Sequence, residues 1–228
     1  MARKQSRRMQ KARAQVDRSK VYAPDEGIGL LKSLPGPKFE ETVEVAVRLG
    51  IDPKKTDQLV RGSVSLPKGT GKSVKIAVFA DGDKAEEAKA AGADIVGAKD
   101  LADKIEGGFL DFDMTIAAPD MMKFVGKLGR VLGPQGKMPS PKAGTVTPNV
   151  GDAVREFKAG KIEFRTDAGA NVHAAIGQKS FNADDLVANL TAFVEHVKSL
   201  RPAQAKGTFI RRVSVATTMG PGIQVDLD

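Results

Sequence analysis

Between residues 74 and 117 the chain switches repeatedly between strand-type and helix-type hydrophobic rhythm, and this alternation restricts the fold more than any other feature. Residues 74–79 are an apolar run that stops at Asp81. Residues 84–91 read as helix and are closed by Gly92. Ile95 and Val96 make a short strand, residues 101–105 a helix, and residues 114–117 a strand ended by Pro119. Strand–helix–strand–helix–strand predicts a mostly parallel, Rossmann-like α/β sheet with helices on its faces. Residues 152–158 add one further helix.

The flanks follow a different pattern. Pro24 opens a helix with Asp25 and Glu26 in its first turn, Ile28, Leu31 and Leu34 lie along one face, and Pro35 stops it. In residues 38–51, Phe39, Val43, Val45, Val47 and Leu49 alternate with polar or small residues, with a slip near Phe39, as in a half-buried strand. Residues 161–166 and 172–176 read as a hairpin around Asp167-Ala168-Gly169-Ala170. Asn182 is placed to cap a helix in which Leu186, Leu190, Phe193, Val194 and Val197 share a face. Residues 208–218 form a last strand, with Val213 and Val215 inward, running into Met219-Gly220-Pro221. The expected fold class is therefore α/β with α+β, in two domains. An outer, split α+β domain with antiparallel-type strands takes residues 1–67 and 160–228, and an inserted α/β domain takes 68–159. The polar, Gly-bearing joins at 65–72 and 158–161 suit a hinge.

Charge points to the partner. The chain carries 36 Lys and Arg against 28 Asp and Glu, and residues 1–20 alone hold eight basic residues against Asp17. Such a surplus favours a polyanion, and a tail that repels itself is expected to stay unstructured until one neutralises it. The tail is Arg-rich in the manner of a mitochondrial presequence, but too few apolar residues would line the other face of such a helix. The absence of Cys removes disulfides, thiolate catalysis and Cys-ligated zinc. No apolar run approaches the length of a membrane-spanning helix, so a cytoplasmic protein is expected.

The motifs that could carry catalysis are incomplete. Gly71-Lys72-Ser73 resembles the end of a phosphate-binding loop, but position 66 is Leu66, and the loop precedes a strand where a P-loop opens a helix. Asp111 and Asp113 have no third carboxylate or histidine beside them and read as surface groups. His173 and His196 show no ligand spacing. The expectation is no enzyme, no catalytic residue, no metal, no cofactor and no small-molecule substrate.

The segment 126–144, GKLGRVLGPQGKMPSPKAG, is the richest in Gly and Pro. Residues 121–142 contain no Asp or Glu, yet hold Lys123, Lys127, Arg130, Lys137 and Lys142, so nothing cancels the cations locally. Spaced Leu128, Val131, Leu132 and Met138 predict an ordered loop.

KLGRVLGPQGKMPSPKAGTV at 127–146 resembles the signature of the universal large-subunit ribosomal protein L-one family, in its bacterial form. KFEETVEVAVRLGIDPKK (38–55), RGSVSLPKGTGK (61–72), GKIEFR (160–165) and KGTFIRRVSVATTMGPG (206–222) resemble that family in the same order. The resemblance implies an outer rRNA-binding domain and an inserted domain, on the mobile stalk of the large (23S) subunit rRNA beside the exit site. It implies help in releasing deacylated exit-site tRNA and repression of the chain's own operon mRNA, by a protein monomeric off the ribosome. The RNA-contacting segments it carries over fall on Lys38, Phe39, Glu41 and Thr42 and on Thr217, Thr218, Met219 and Gly220, with Arg165 and Thr166 as neighbours and Lys127, Arg130, Lys137 and Lys142 as secondary RNA contacts. Thr hydroxyls suit ribose 2′-OH and phosphate oxygens, and Phe39 or Met219 can pack on sugars or bases. Two other readings compete: an RNA chaperone binding through residues 1–20, and a nucleotide-dependent enzyme built on the α/β centre.

Overall fold

The computed structural model describes residues 6–227 of the chain. In chain order the elements are α1 (Arg7–Ala14), α2 (Pro24–Ser33), β1 (Thr42–Leu49), β2 (Arg61–Ser65), β3 (Ile76–Phe79), α3 (Asp83–Ala90), β4 (Ile95–Gly97), α4 (Lys99–Glu106), β5 (Met114–Ala117), α5 (Met122–Val125), α6 (Gly129–Leu132), α7 (Val150–Lys158), β6 (Lys161–Arg165), β7 (Asn171–Gln178), α8 (Ala183–Ser199), β8 (Ile210–Thr217) and β9 (Ile223–Val225). The fold is a mixture of helices and strands in three sheets. Two compact units emerge, one from the described parts of Met1–Gly71 and Ile162–Asp228, the other from Lys72–Lys161.

In the unit formed by the two chain ends, called the outer unit, one sheet has the order β7-β1-β8-β9 and is antiparallel throughout. Strict alternation decides its two faces. Val43, Val45, Val47 and Leu49 of β1 are buried with Val213 and Val215 of β8, against Ile28 and Leu31 of α2 and Leu186, Leu190, Phe193, Val194 and Val197 of α8. The opposite face carries exposed or half-buried Thr42, Glu44, Ala46 and Arg48, with Ser214 and Ala216 beside them. Separately, β2 pairs with β6. Phe164 of β6 meets Phe193 edge-on, ring centres 5.3 Å apart, and so joins that pair of strands to the α8 core.

Three local expectations need correction. The 161–176 hairpin reduces to one bridge, Thr166 to Val172, because β6 takes β2 as partner and β7 takes β1. Asn182 does stand before α8, but its amide donates to Asp185 Oδ2 at 3.4 Å and makes no cap bond to the backbone. The basic tail is helical from Arg7: Ser6 Oγ accepts from the Met9 N–H at 3.3 Å, and Ala12 is buried in the outer core with Val16. Two small apolar side chains on one side were enough to dock it; residues 1–5 lie outside the described residues.

The second unit has a parallel sheet in the order β4-β3-β5. Ile76 and Val78 of β3 pack to one side with Ala88 of α3 and Val150, Val154 and Phe157 of α7. Ala77 and Phe79 pack to the other with Leu101 and Ile105 of α4 and Val125, Leu128 and Leu132. Both faces are covered, which is why β3 is buried at all four positions. The Gly- and Pro-rich segment is fixed along β5: Ala117 N–H donates to Thr145 O at 2.9 Å, Thr147 N–H to Ala117 O at 3.2 Å, and the Thr115 hydroxyl bonds Lys137 O. No helix among the described residues is long and apolar enough to cross a membrane.

Candidate nucleic-acid interface

One end of the outer sheet is where the two carried-over segments meet. β1 and β8 run antiparallel with Val43 opposite Thr217, so the residues entering β1 and those leaving β8 are neighbours. The Thr218 N–H donates to Thr42 O at 3.0 Å, and the Thr42 N–H donates to Thr218 Oγ1 at 3.1 Å. The Gly220 N–H closes the turn on Thr217 O at 3.0 Å. The outcome is a small plate from which Lys38, Phe39, Thr218 and Met219 project. Phe39 is 55% exposed and Met219 47% exposed, large apolar side chains held in water beside the exposed Thr218 hydroxyl and Lys38 ammonium. Phe39 stands before the first residue of β1 and takes no part in its core, which accounts for the slip in alternation there.

Not every expected contact residue reaches the surface. Glu41 is 2% exposed and Thr217 is 5% exposed, so both are corrected from contacts to interior groups. Glu41 Oε1 accepts from the Met219 N–H at 3.0 Å and its Oε2 lies 3.5 Å from Lys179 Nζ. Arg165 and Thr166 are not neighbours of the plate. Thr166 bridges to Val172, which pairs with Val47, whereas the plate adjoins Thr42. At about 3.4 Å per residue the two places are roughly 20 Å apart along the sheet. Thr166 is occupied with Val60, its Oγ1 accepting from Val60 N–H at 3.1 Å and donating to Val60 O at 2.9 Å. Nearby, the backbone N–H of Asn171, its side-chain amide and the N–H of Gly169 hold the Asp167 carboxyl below the usual carboxylate range. The same bonds fix the turn in which Ala170 adopts a left-handed φ of 62°.

That far end carries basic residues that sequence reasoning did not assign. Arg48 of β1 stands directly opposite Arg212 of β8, a like-charge cross-strand pair that destabilises an isolated sheet. The register slips between Arg48 and Leu49, which makes Arg211 the extra residue of a bulge and leaves Arg211 and Arg212 both exposed. Consecutive arginines were visible in the sequence, but the bulge and the facing Arg48 belong to the pairing register. Lys55 and Lys206 share a hollow of about 390 Å³ with Arg211.

In the second unit Lys127, Arg130 and Lys142 are exposed. Lys137 is corrected: its ammonium donates to Leu110 O at 3.1 Å and sits 5.0 Å above the Phe112 ring, so it holds the loop in place.

An antiparallel sheet with one open face, a plate of exposed Phe, Met, Thr and Lys at one end and unpaired arginines at the other has the features of a surface for a structured polyanion. The comparisons with known proteins agree with such a class. Residues 30–221 match the model of the ribosomal protein L1p/L10e family. The chain is 54% identical to the large ribosomal subunit protein uL1 of Alkalilimnicola ehrlichii over 222 residues, 97% of this chain and 96% of the relative. It is also 54% identical to the proteins of the same name from Kosmotoga olearia, covering 98% of this chain and 96% of the relative, and Azoarcus sp., covering 97% and 96%. The chain belongs to the ribosomal protein L1p/L10e family, a family of ribosomal proteins and not of enzymes.

Proposed function

We propose that this chain is a constituent of the large ribosomal subunit, in the cytoplasm, and that its outer unit is the main binding domain for large-subunit rRNA at the mobile stalk. Family membership and the names of its relatives support the ribosomal part. The observation that carries the RNA part is the plate at Thr42 and Thr218, where Phe39 and Met219 are held exposed beside Lys38 and the Thr218 hydroxyl. Phe39 and Met219 pack on sugar and base surfaces, Thr42 and Thr218 meet 2′-OH groups, and the backbone runs along the open face toward Arg48, Arg211 and Arg212. Lys127, Arg130 and Lys142 of the second unit make a weaker RNA contact. Off the ribosome the chain is a monomer that uses the same plate on the leader of its own operon mRNA and represses it; on the ribosome it assists release of deacylated tRNA from the exit site. Arg-rich recognition without such a plate, as in an RNA chaperone, would not discriminate between RNAs. Equilibrium binding to an rRNA stalk fragment and to a shuffled RNA of equal length, across a salt series, tests this. Tight binding to the stalk fragment alone, weakening as salt rises, is expected; equal binding to both RNAs would sink the proposal.

A further inference from the structure

We infer that Arg8, Gly36 and Lys179 form a brace around the buried Glu41 that fixes the plate in its binding shape, and that they act as positioning residues without touching RNA. The inference rests on the RNA reading of the plate given above. Among the described residues of the outer unit Glu41 is the one buried carboxylate, and both its oxygens are engaged. Oε1 takes the Met219 N–H at 3.0 Å, which ties the entrance of β1 to the turn after β8. Oε2 faces Lys179 Nζ at 3.5 Å, and Lys179 also donates its ammonium to Leu34 O at 2.7 Å and its N–H to Glu41 O at 2.9 Å. The pair therefore anchors the loop at both ends, Leu34 and Glu41, across the residues that present Lys38 and Phe39.

Space around the pair is closed at Gly36. A Cβ there would stand 2.7 Å from Glu41 Oε2 and 3.2 Å from Lys179 Nζ, and the position has no positive φ to demand glycine for another reason. Arg8 adds a second tie from α1. Its guanidinium donates to Pro35 O at 3.2 Å and to Met219 O at 3.1 Å, one fork reaching both segments of the plate. With its donors turned onto carbonyls, Arg8 differs from Arg7, Lys11 and Arg13, the other basic residues of α1, which are exposed. The planar fork suits two fixed acceptors in a way that a lysine ammonium does not.

Preorganisation of this kind changes affinity without changing the number of phosphates neutralised, and that separates it from a contact. The test compares wild type with Arg8→Ala, Arg8→Lys and Gly36→Ala for binding to the rRNA stalk fragment across a salt series, with thermal unfolding of each protein. The two Arg8 variants are expected to unfold close to wild type and Gly36→Ala at a lower temperature but still cooperatively, and all three to bind about tenfold more weakly with an unchanged salt slope. Arg8→Lys at wild-type affinity, or a salt slope reduced by about one phosphate in Arg8→Ala, would make Arg8 a direct contact and overturn its part in the brace. Wild-type affinity in Gly36→Ala would overturn the part assigned to Glu41 and Lys179. If wild type itself does not bind the fragment, the RNA reading fails and the inference with it.

Discussion

Replacing Thr218 and Met219 together by alanine is expected to weaken binding to the rRNA stalk fragment by about a hundredfold, close to 2.7 kcal/mol. The effect divides between two side chains. Met219 is 47% exposed on a turn whose backbone is held at both N–H and C=O, so its apolar surface is presented at little further entropic cost. Thr218 Oγ1 accepts from Thr42 N–H at 3.1 Å and donates to Thr42 O at 3.4 Å, which leaves one lone pair to accept from a ribose hydroxyl. Because both side chains are exposed and water can reach the Thr42 N–H that loses Thr218 Oγ1, the double variant should unfold within about 1 kcal/mol of wild type. Binding measurements paired with urea titrations check both halves. Unchanged affinity would remove the plate from the interface.

The second large effect concerns stability. Asn189→Leu should lower the unfolding free energy of the outer unit by about 3–5 kcal/mol. Asn189 is fully buried in α8, yet it makes three bonds to backbone. Its Oδ1 accepts from Lys68 N–H at 3.0 Å, and its Nδ2 donates to Gly69 O at 2.9 Å and Ile176 O at 2.8 Å. Leucine keeps the branched outline of four side-chain heavy atoms, though its methyls are bulkier than the amide, and three backbone groups lose their partner. Aspartate should be poor in a different way: it keeps the Lys68 bond but sets a carboxylate against two carbonyls, and it should recover part of its stability at low pH, where a protonated carboxyl donates one bond. Chemical denaturation of the two variants checks this, and a loss below about 1 kcal/mol in Asn189→Leu would show that water replaces the amide.

The elements best legible in the sequence are those whose hydrophobic period is complete. β1 shows four buried residues at every second place from Val43 to Leu49, and α8 shows a full apolar face from Leu186 to Val197. β2 and β9 escaped notice because five and three residues, with Gly62 in the first, are too few to establish a period. Strand partners were less accessible than strands: the turn at Asp167 is real, but the two strands it joins lie in different sheets. α1 was read as tail because six of its neighbours in residues 7–20 are basic and only Ala12 and Val16 signal a buried side. Of the candidate site, Phe39 and Met219 come from the family resemblance; the slip in alternation near Phe39 is the one local sign that it stands outside the core of β1, and Met219 has no such sign. Glu41 shows the limit most clearly. A carboxylate beside the plate reads as a polar contact until the structure places Lys179, 138 positions along the chain, against it.

Hydrogen–deuterium exchange of the full chain, with and without the rRNA stalk fragment, tests the central claim most directly. Binding at the plate predicts added protection of the backbone amides of residues 36–44 and 216–222, with a smaller effect along the Arg48 and Arg212 end. Protection confined to α1 and the residues before it, with the two plate segments unchanged, would contradict the account and return the binding to the basic tail.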